Sequence, residues 1–155
     1  MNYIGLDKNG SENLSVKLNE LLASYQIHYQ NLRGLHWNIL GNNFFELHLK
    51  YEELYTRTQV IIDELAERIL TLGKSPLHTF SDYLKHTRIK ELQTTSEGSV
   101  GMEYLLNGQK TLLLLEREIM DLAAEINDEG TSSLMSDLIR EKEKTSWMFK
   151  SWIGK

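Results

Sequence analysis

Five residues of this 155-residue chain have the types and spacing to hold a transition-metal ion: His36, His48, Glu52, Asp63 and Glu67. The chain has no cysteine, so a metal site must be built from imidazole and carboxylate. Such donors suit hard or borderline ions such as iron, manganese or zinc. His36 and His48 lie six residues before and six after Asn42, and Gly41-Asn42-Asn43 reads as a tight turn because Gly and Asn tolerate left-handed backbone. The two imidazoles are therefore expected at one height on adjacent antiparallel helices. Glu52 follows His48 by four positions and shares its face one turn on. Asp63 and Glu67 form a second such pair, but Asp63 lies ~22 Å along the axis from His48. Metal–ligand bonds are only ~2 Å long, so one chain cannot bring all five to one ion.

The elements that must position these residues are helices. A single proline, Pro76, interrupts the chain. The apolar stripe Leu14, Leu18, Leu21, Leu22, Tyr25, Tyr29, Leu32, Leu35, Ile39 follows the helical period over residues 11–40, with Ser11 or Ser15 as candidate caps. Residues 44–72 read as a second helix ended by Gly73. A third is expected over Ser99 to Asn127 and a fourth over Thr131 to Trp152, separated by Asp128-Glu129-Gly130. The stretch between helices two and three carries a short amphipathic piece, Thr79 to His86. It is too long for a hairpin turn and implies a crossover that travels the bundle. Two antiparallel hairpins joined by one long crossover define an all-α, ferritin-like four-helix bundle with a short helix in the crossover. The whole chain, 1–155, reads as one domain, with 1–10 a short polar N-terminal segment.

At ~100° per residue the second helix has two apolar arcs. Leu47, Tyr51, Leu54, Ile61, Ile62, Leu65, Ile69 and Leu72 form the arc for the intramolecular core. Glu46, Lys50, Glu53, Arg57, Glu64 and Arg68 form the solvent face. The remaining arc mixes Leu49, Val60, Ala66 and Leu70 with His48, Glu52, Asp63 and Glu67. A helix apolar on two sides is buried on two sides, so this face is expected to meet another subunit. If the helix pairs antiparallel with its own copy around a two-fold near Arg57–Thr58, His48 faces Glu67 and Glu52 faces Asp63 at integer register. An isologous interface repeats every contact. The dimer would then carry two sites, each with His36, His48 and Glu52 from one chain and Asp63 and Glu67 from the other. Mixed imidazole and carboxylate donors with open positions suit Fe(II) that is to be oxidised.

Charge and composition exclude other classes. With 17 Lys or Arg against 22 Asp or Glu, the formal charge is −5, and no basic block supplies the footprint of a nucleic-acid binder. Without cysteine there is no disulfide framework, thiolate site or cysteine nucleophile. The start of the chain lacks the basic and apolar regions of a signal peptide, and the longest aliphatic run, Leu112 to Leu115, is far too short for a membrane span. A soluble cytoplasmic protein with no membrane partner is the expectation.

The stretch His36-Trp37-Asn38-Ile39-Leu40-Gly41-Asn42-Asn43-Phe44-Phe45-Glu46-Leu47-His48, followed by Tyr51-Glu52-Glu53-Leu54-Tyr55, resembles the signature of the Dps mini-ferritins, proteins of DNA protection during starvation. Asp63-Glu64-Leu65-Ala66-Glu67-Arg68, Gly73-Lys74-Ser75-Pro76 and Trp147-Met148-Phe149-Lys150 continue the resemblance, which covers nearly the whole chain from about residue 11. It implies an intersubunit ferroxidase centre at the five residues, in a hollow homododecamer. Fe(II) would be oxidised there, preferably by hydrogen peroxide rather than oxygen, and stored as ferric mineral, which limits oxidative damage. The diiron position would also accept another divalent metal such as zinc. The resemblance further implies iron entry through an acidic pore at the turn between the last two helices, where Asp121, Glu125, Asp128 and Glu129 are the candidates; Ser132-Ser133 stand where some relatives carry acids. A centre built from Glu-x-x-His pairs inside one bundle is excluded, because no such pair occurs.

Trp37, beside His36, either packs at an interface or quenches radicals by giving up an electron. His28, His78 and His86 have no ligand partner at coherent spacing and read as structural. Some Dps proteins bind DNA through a lysine-rich tail, whereas Met1 to Asn13 here hold one lysine against Asp7 and Glu12. DNA binding is thus expected to be weak or absent. Two rival readings remain: a nucleoid-compacting DNA protein with secondary ferroxidase activity, and a shell protein in which the cluster holds zinc merely to staple dimers.

Overall fold

The computed structural model describes residues 1–154. Five helices follow in order: α1 Lys8–Asn38, α2 Phe44–Thr71, α3 Phe80–His86, α4 Gly98–Glu125 and α5 Glu129–Ile153. α1 pairs with α2 and α4 with α5, α1 also lies against α4, and α3 lies across α1. The crossover from Leu72 to Glu97 returns the chain to the end of the bundle where α1 meets α2. There the Leu40 amide donates to the Ser96 carbonyl at 3.1 Å. The fold class is the ferritin-like all-α bundle expected. No helix among the described residues is long and apolar enough to cross a membrane.

The ends of the helices correct several expectations. α1 begins at Lys8, not at Ser11, and its cap is Asp7, whose carboxylate accepts from the Gly10 amide at 2.6 Å. The Ser11 and Ser15 hydroxyls instead bond back to the carbonyls of Asp7 and Ser11. The segment before α1 is folded too, since Asn2 Oδ1 accepts from the Ile4 and Leu6 amides. α1 stops at Asn38, and Gly41 takes φ +100°, a conformation that a side chain strains. α5 starts at Glu129, two residues earlier than read, because Asp128 is its cap.

The core is divided. One apolar cluster gathers Leu18, Leu21, Leu65, Ile69, Leu115 and Met135, and a second, near the α1–α2 turn, gathers Leu35, Ile39, Leu47, Tyr51, Leu105 and Phe149. A buried polar layer accompanies them. The Tyr25 hydroxyl donates to Glu116 Oε1 at 2.5 Å, and Lys142 Nζ lies 3.2 Å from the same oxygen. Ser146 donates to Gln109 at 2.6 Å. Glu116 is fully buried and Lys142 nearly so. The helix period contained the signal for this layer: Glu116 falls in line with Leu112 and Ile119, and Lys142 with Met135, Leu138 and Phe149.

His28 belongs to this region. It is buried with its Nδ1 unpartnered, and burial, helped by the Lys142 cation, pushes its pKa down to about 3. The unfolded chain binds a proton there near the ordinary value of about 6.5, before the folded chain does. Stability is therefore fully present above that pH and falls as acid is added, by about 1.4 kcal/mol per pH unit for one group. Urea unfolding of the parent and of His28→Leu at pH 7 and pH 5 should show the parent losing about 2 kcal/mol more than the variant. Equal losses would remove His28 from the acid limb.

Candidate metal centre

His36 sits in the last turn of α1 and His48 in the second turn of α2, brought to one height by the Gly41–Asn43 turn. Their rings stack with centroids 3.8 Å apart and planes 15° from parallel. His36 Nδ1 lies 2.7 Å from the His48 carbonyl oxygen, and His48 Nδ1 lies 2.9 Å from the His36 carbonyl oxygen. A carbonyl oxygen only accepts, so each Nδ1 must carry the proton and donate it. These bonds hold the Nδ1 edge of each ring against the backbone and leave Nε2 as the nitrogen to which a metal could bind. His36 is 8% exposed while His48 is partly open. The pair is thus buried from within and accessible from one side.

The carboxylates stand apart from it. Glu52, Asp63 and Glu67 are all exposed, and none forms an ion pair among the described residues. No three His, Asp or Glu side chains within the described residues gather where one ion could lie. The structure brings together two of the five expected ligands, and it leaves three unpaired acids along the same helix.

The face that carries these acids is apolar. Leu49, Val60 and Leu70 are 57%, 48% and 54% exposed, whereas Leu47, Ile61, Leu65 and Ile69 of the opposite arc are buried. Leu54 and Ile62 are only partly buried. Arg68 departs from the expected solvent face. Its Nη2 bonds Asp128 Oδ1 at 2.6 Å, and its Nε donates to the Thr131 hydroxyl at 2.8 Å.

That clamp also corrects the pore reading. Asp128 is 2% exposed and caps α5 by accepting from the Thr131 amide. Burial alone would raise its carboxyl, but hydrogen bonds from Thr131 and the Arg68 guanidinium outweigh it and hold the group below the usual range. Asp128 is a buried helix cap whose charge is paired with Arg68, not an exposed acid. Asp121, Glu125 and Glu129 are exposed. Trp37 is 61% exposed, with the Arg33 guanidinium 5.2 Å over its ring and 4.8 Å over that of Tyr29.

Comparisons with known proteins agree with this architecture. The Ferritin family, described as a ferritin-like domain, matches residues 16–155. A crystal structure of a Dps protein from Vibrio cholerae O1, described as a member of a broad superfamily of ferritin-like diiron-carboxylate proteins, is 54% identical. It superposes with a TM-score of 0.97 over 99% of this chain and 96% of that one. A DNA protection during starvation protein from Porphyromonas gingivalis is 40% identical over 89% of this chain and 87% of its own length. The Dps of Listeria innocua, solved after soaking with zinc, is 28% identical with a TM-score of 0.88, covering 92% of this chain and 97% of that one. Fold, chain coverage and relatives agree, and the chain belongs to the Dps mini-ferritins of the ferritin-like family.

Proposed function

We propose that this protein is a ferroxidase and iron store that oxidises Fe(II), preferably with hydrogen peroxide, at sites shared between subunits of a hollow homododecamer. The observation that carries the reading is the stacked His36–His48 pair, in which each Nδ1 is engaged by the other residue's carbonyl and each Nε2 is left for a ligand. His36 and His48 bind the first ferrous ion as neutral imidazoles. The partner subunit's Glu67 anchors or bridges it. Glu52 and the partner subunit's Asp63 hold the second ion or a water. Two Fe(II) supply two electrons, and peroxide takes both with two protons to give two waters and two Fe(III), so no hydroxyl radical is released. Zinc fits the same donors and would compete. Exposed Trp37 is available to reduce stray oxidants. Asp121, Glu125 and Glu129 are the remaining candidates for drawing cations inward through the acidic field of the shell.

The iron reading is favoured over DNA binding. The chain is net acidic, and Asp7, one of two acids among the first thirteen residues, is tied into the α1 cap. It is also favoured over a zinc staple, because open donors on the histidine pair serve a reaction better than a closed structural site. The experiment is anaerobic addition of hydrogen peroxide to Fe(II)-loaded protein, followed by ferric absorbance. A fast rise at about one peroxide per two Fe(II), far above the protein-free rate, supports the reading. A rise no faster than free iron refutes it.

A further inference from the structure

The histidine pair does not stand alone. Phe44, the first residue of α2, lies face to face on His48 with centroids 4.9 Å apart and planes 18° from parallel. His48 in turn stacks on His36. The three rings form one column, Phe44–His48–His36. The far end is closed by Tyr55, whose ring meets His36 edge-on at 5.3 Å and 84°. The column is built by the turn: the Phe44 amide donates to the Gly41 carbonyl at 3.1 Å, setting the start of α2 so that Phe44 lies one turn before His48.

The hydrogen bonds at Nδ1 fix which nitrogen of each imidazole is free, but one bond leaves the ring able to swing about it. Flat contacts on both faces of His48 remove that freedom. We propose that Phe44 is a positioning residue for metal binding, one that holds the His48 ring parallel to His36 and keeps both Nε2 atoms aimed at one ion. A branched aliphatic residue would fill the same partly buried space against Leu47 and its neighbours, yet offer no flat face. Phe45, at 85% exposure, stacks on neither imidazole and serves as the comparison position.

This inference rests on the histidine pair being a metal site, and its test separates the two. Zn(II), which is redox-inert, is titrated calorimetrically into the assembled parent, Phe44→Leu, Phe44→Tyr and Phe45→Leu, and Co(II) spectra are recorded on each. Partners that orient metal ligands typically change affinity 10–100-fold. Phe44→Leu should bind Zn(II) at least roughly tenfold more weakly, with a changed Co(II) ligand-field band. Phe44→Tyr and Phe45→Leu should stay within about twofold, and all four should keep one oligomer mass and helical content. Equal Zn(II) affinity in Phe44→Leu and parent overturns the positioning role and leaves the metal site intact. Affinity that falls only together with oligomer mass also overturns it, since Phe44 would then be plain packing. A parent that binds no Zn(II) overturns both readings.

Discussion

His36→Ala/His48→Ala should abolish rapid iron oxidation while leaving the shell assembled. Each substitution would remove an Nε2 donor, and the other proposed ligands, Glu52, Asp63 and Glu67, are exposed carboxylates that would hold Fe(II) weakly without imidazole support. Even losing a residue that only orients a ligand costs 10–100-fold. Losing both imidazoles should slow peroxide-dependent oxidation by at least about 100-fold at limiting iron. The fold should persist, because the two rings sit at the edge of the second core cluster and are not among its apolar members. The cost is two side chain–backbone hydrogen bonds, of order 1 kcal/mol each. Light scattering and ferric absorbance on the same samples check both halves. Oxidation at the parental rate by an assembled double variant would remove these histidines from the site.

Lys142→Met should be among the most destabilising single changes in the bundle. Glu116 is fully buried, shares its Oε1 with Tyr25 and Lys142, and has its Oε2 unpartnered. Burial pushes its carboxyl up, and the Lys142 ammonium is the strongest force opposing that rise. Removing the cation leaves a carboxylate that must stay charged in an apolar place or take up a proton. Breaking a buried pair in this way costs about 3–5 kcal/mol. Adding Glu116→Gln should recover most of the loss, because a neutral amide still accepts from Tyr25 and needs no counter-ion. Denaturant titrations of the parent, both single variants and the double form a cycle that measures the coupling. A single variant that unfolds with the parent would show that the pair contributes nothing to stability.

The sequence made the chemistry more legible than the framework around it. The equal spacing of His36 and His48 about Asn42 placed both rings at one height, and they stack there. The second apolar arc of α2 was legible because Leu49, Val60 and Leu70 break a pattern already completed by Leu47, Ile61 and Leu65. The start of α1 was not. Residues 1–10 read as a short polar segment outside the helix, yet Asp7 caps a helix that already includes Gly10, where a Cβ would collide with Ile126 Cγ2. A residue that looks like a breaker is a point of close approach. Gly98 and Gly101 are similar, with Leu47 and the Tyr51 hydroxyl each 2.6 Å from where a Cβ would stand. The buried layer of Tyr25, Glu116 and Lys142 escaped for another reason. One charged residue on an apolar stripe reads as local noise, and only the three-dimensional pairing of stripes on α1, α4 and α5 shows that the charges meet. Asp128 was misread for the same reason, since its partner Arg68 lies 60 residues away.

The separation of the ligands has a functional consequence. A protomer holds a preformed pair of imidazoles with Glu52 one turn on along α2, and two further exposed acids, Asp63 and Glu67, that lie too far along the helix to reach them. In the shared-site account, assembly completes the centre, so an isolated subunit would bind iron weakly and store none.

That account is tested most directly by mixing two inactive chains. One carries His36→Ala/His48→Ala and the other Asp63→Asn/Glu67→Gln, and they are unfolded together and refolded at equal amounts. In a two-fold dimer of unlike chains, one site receives intact histidines from one chain and intact acids from the other, while its twin receives neither. Random pairing makes half the dimers mixed, so about one quarter of parental sites should return. Fast peroxide-dependent iron oxidation at about that fraction is the predicted result. No recovery in assembled mixed shells would contradict a site shared between subunits.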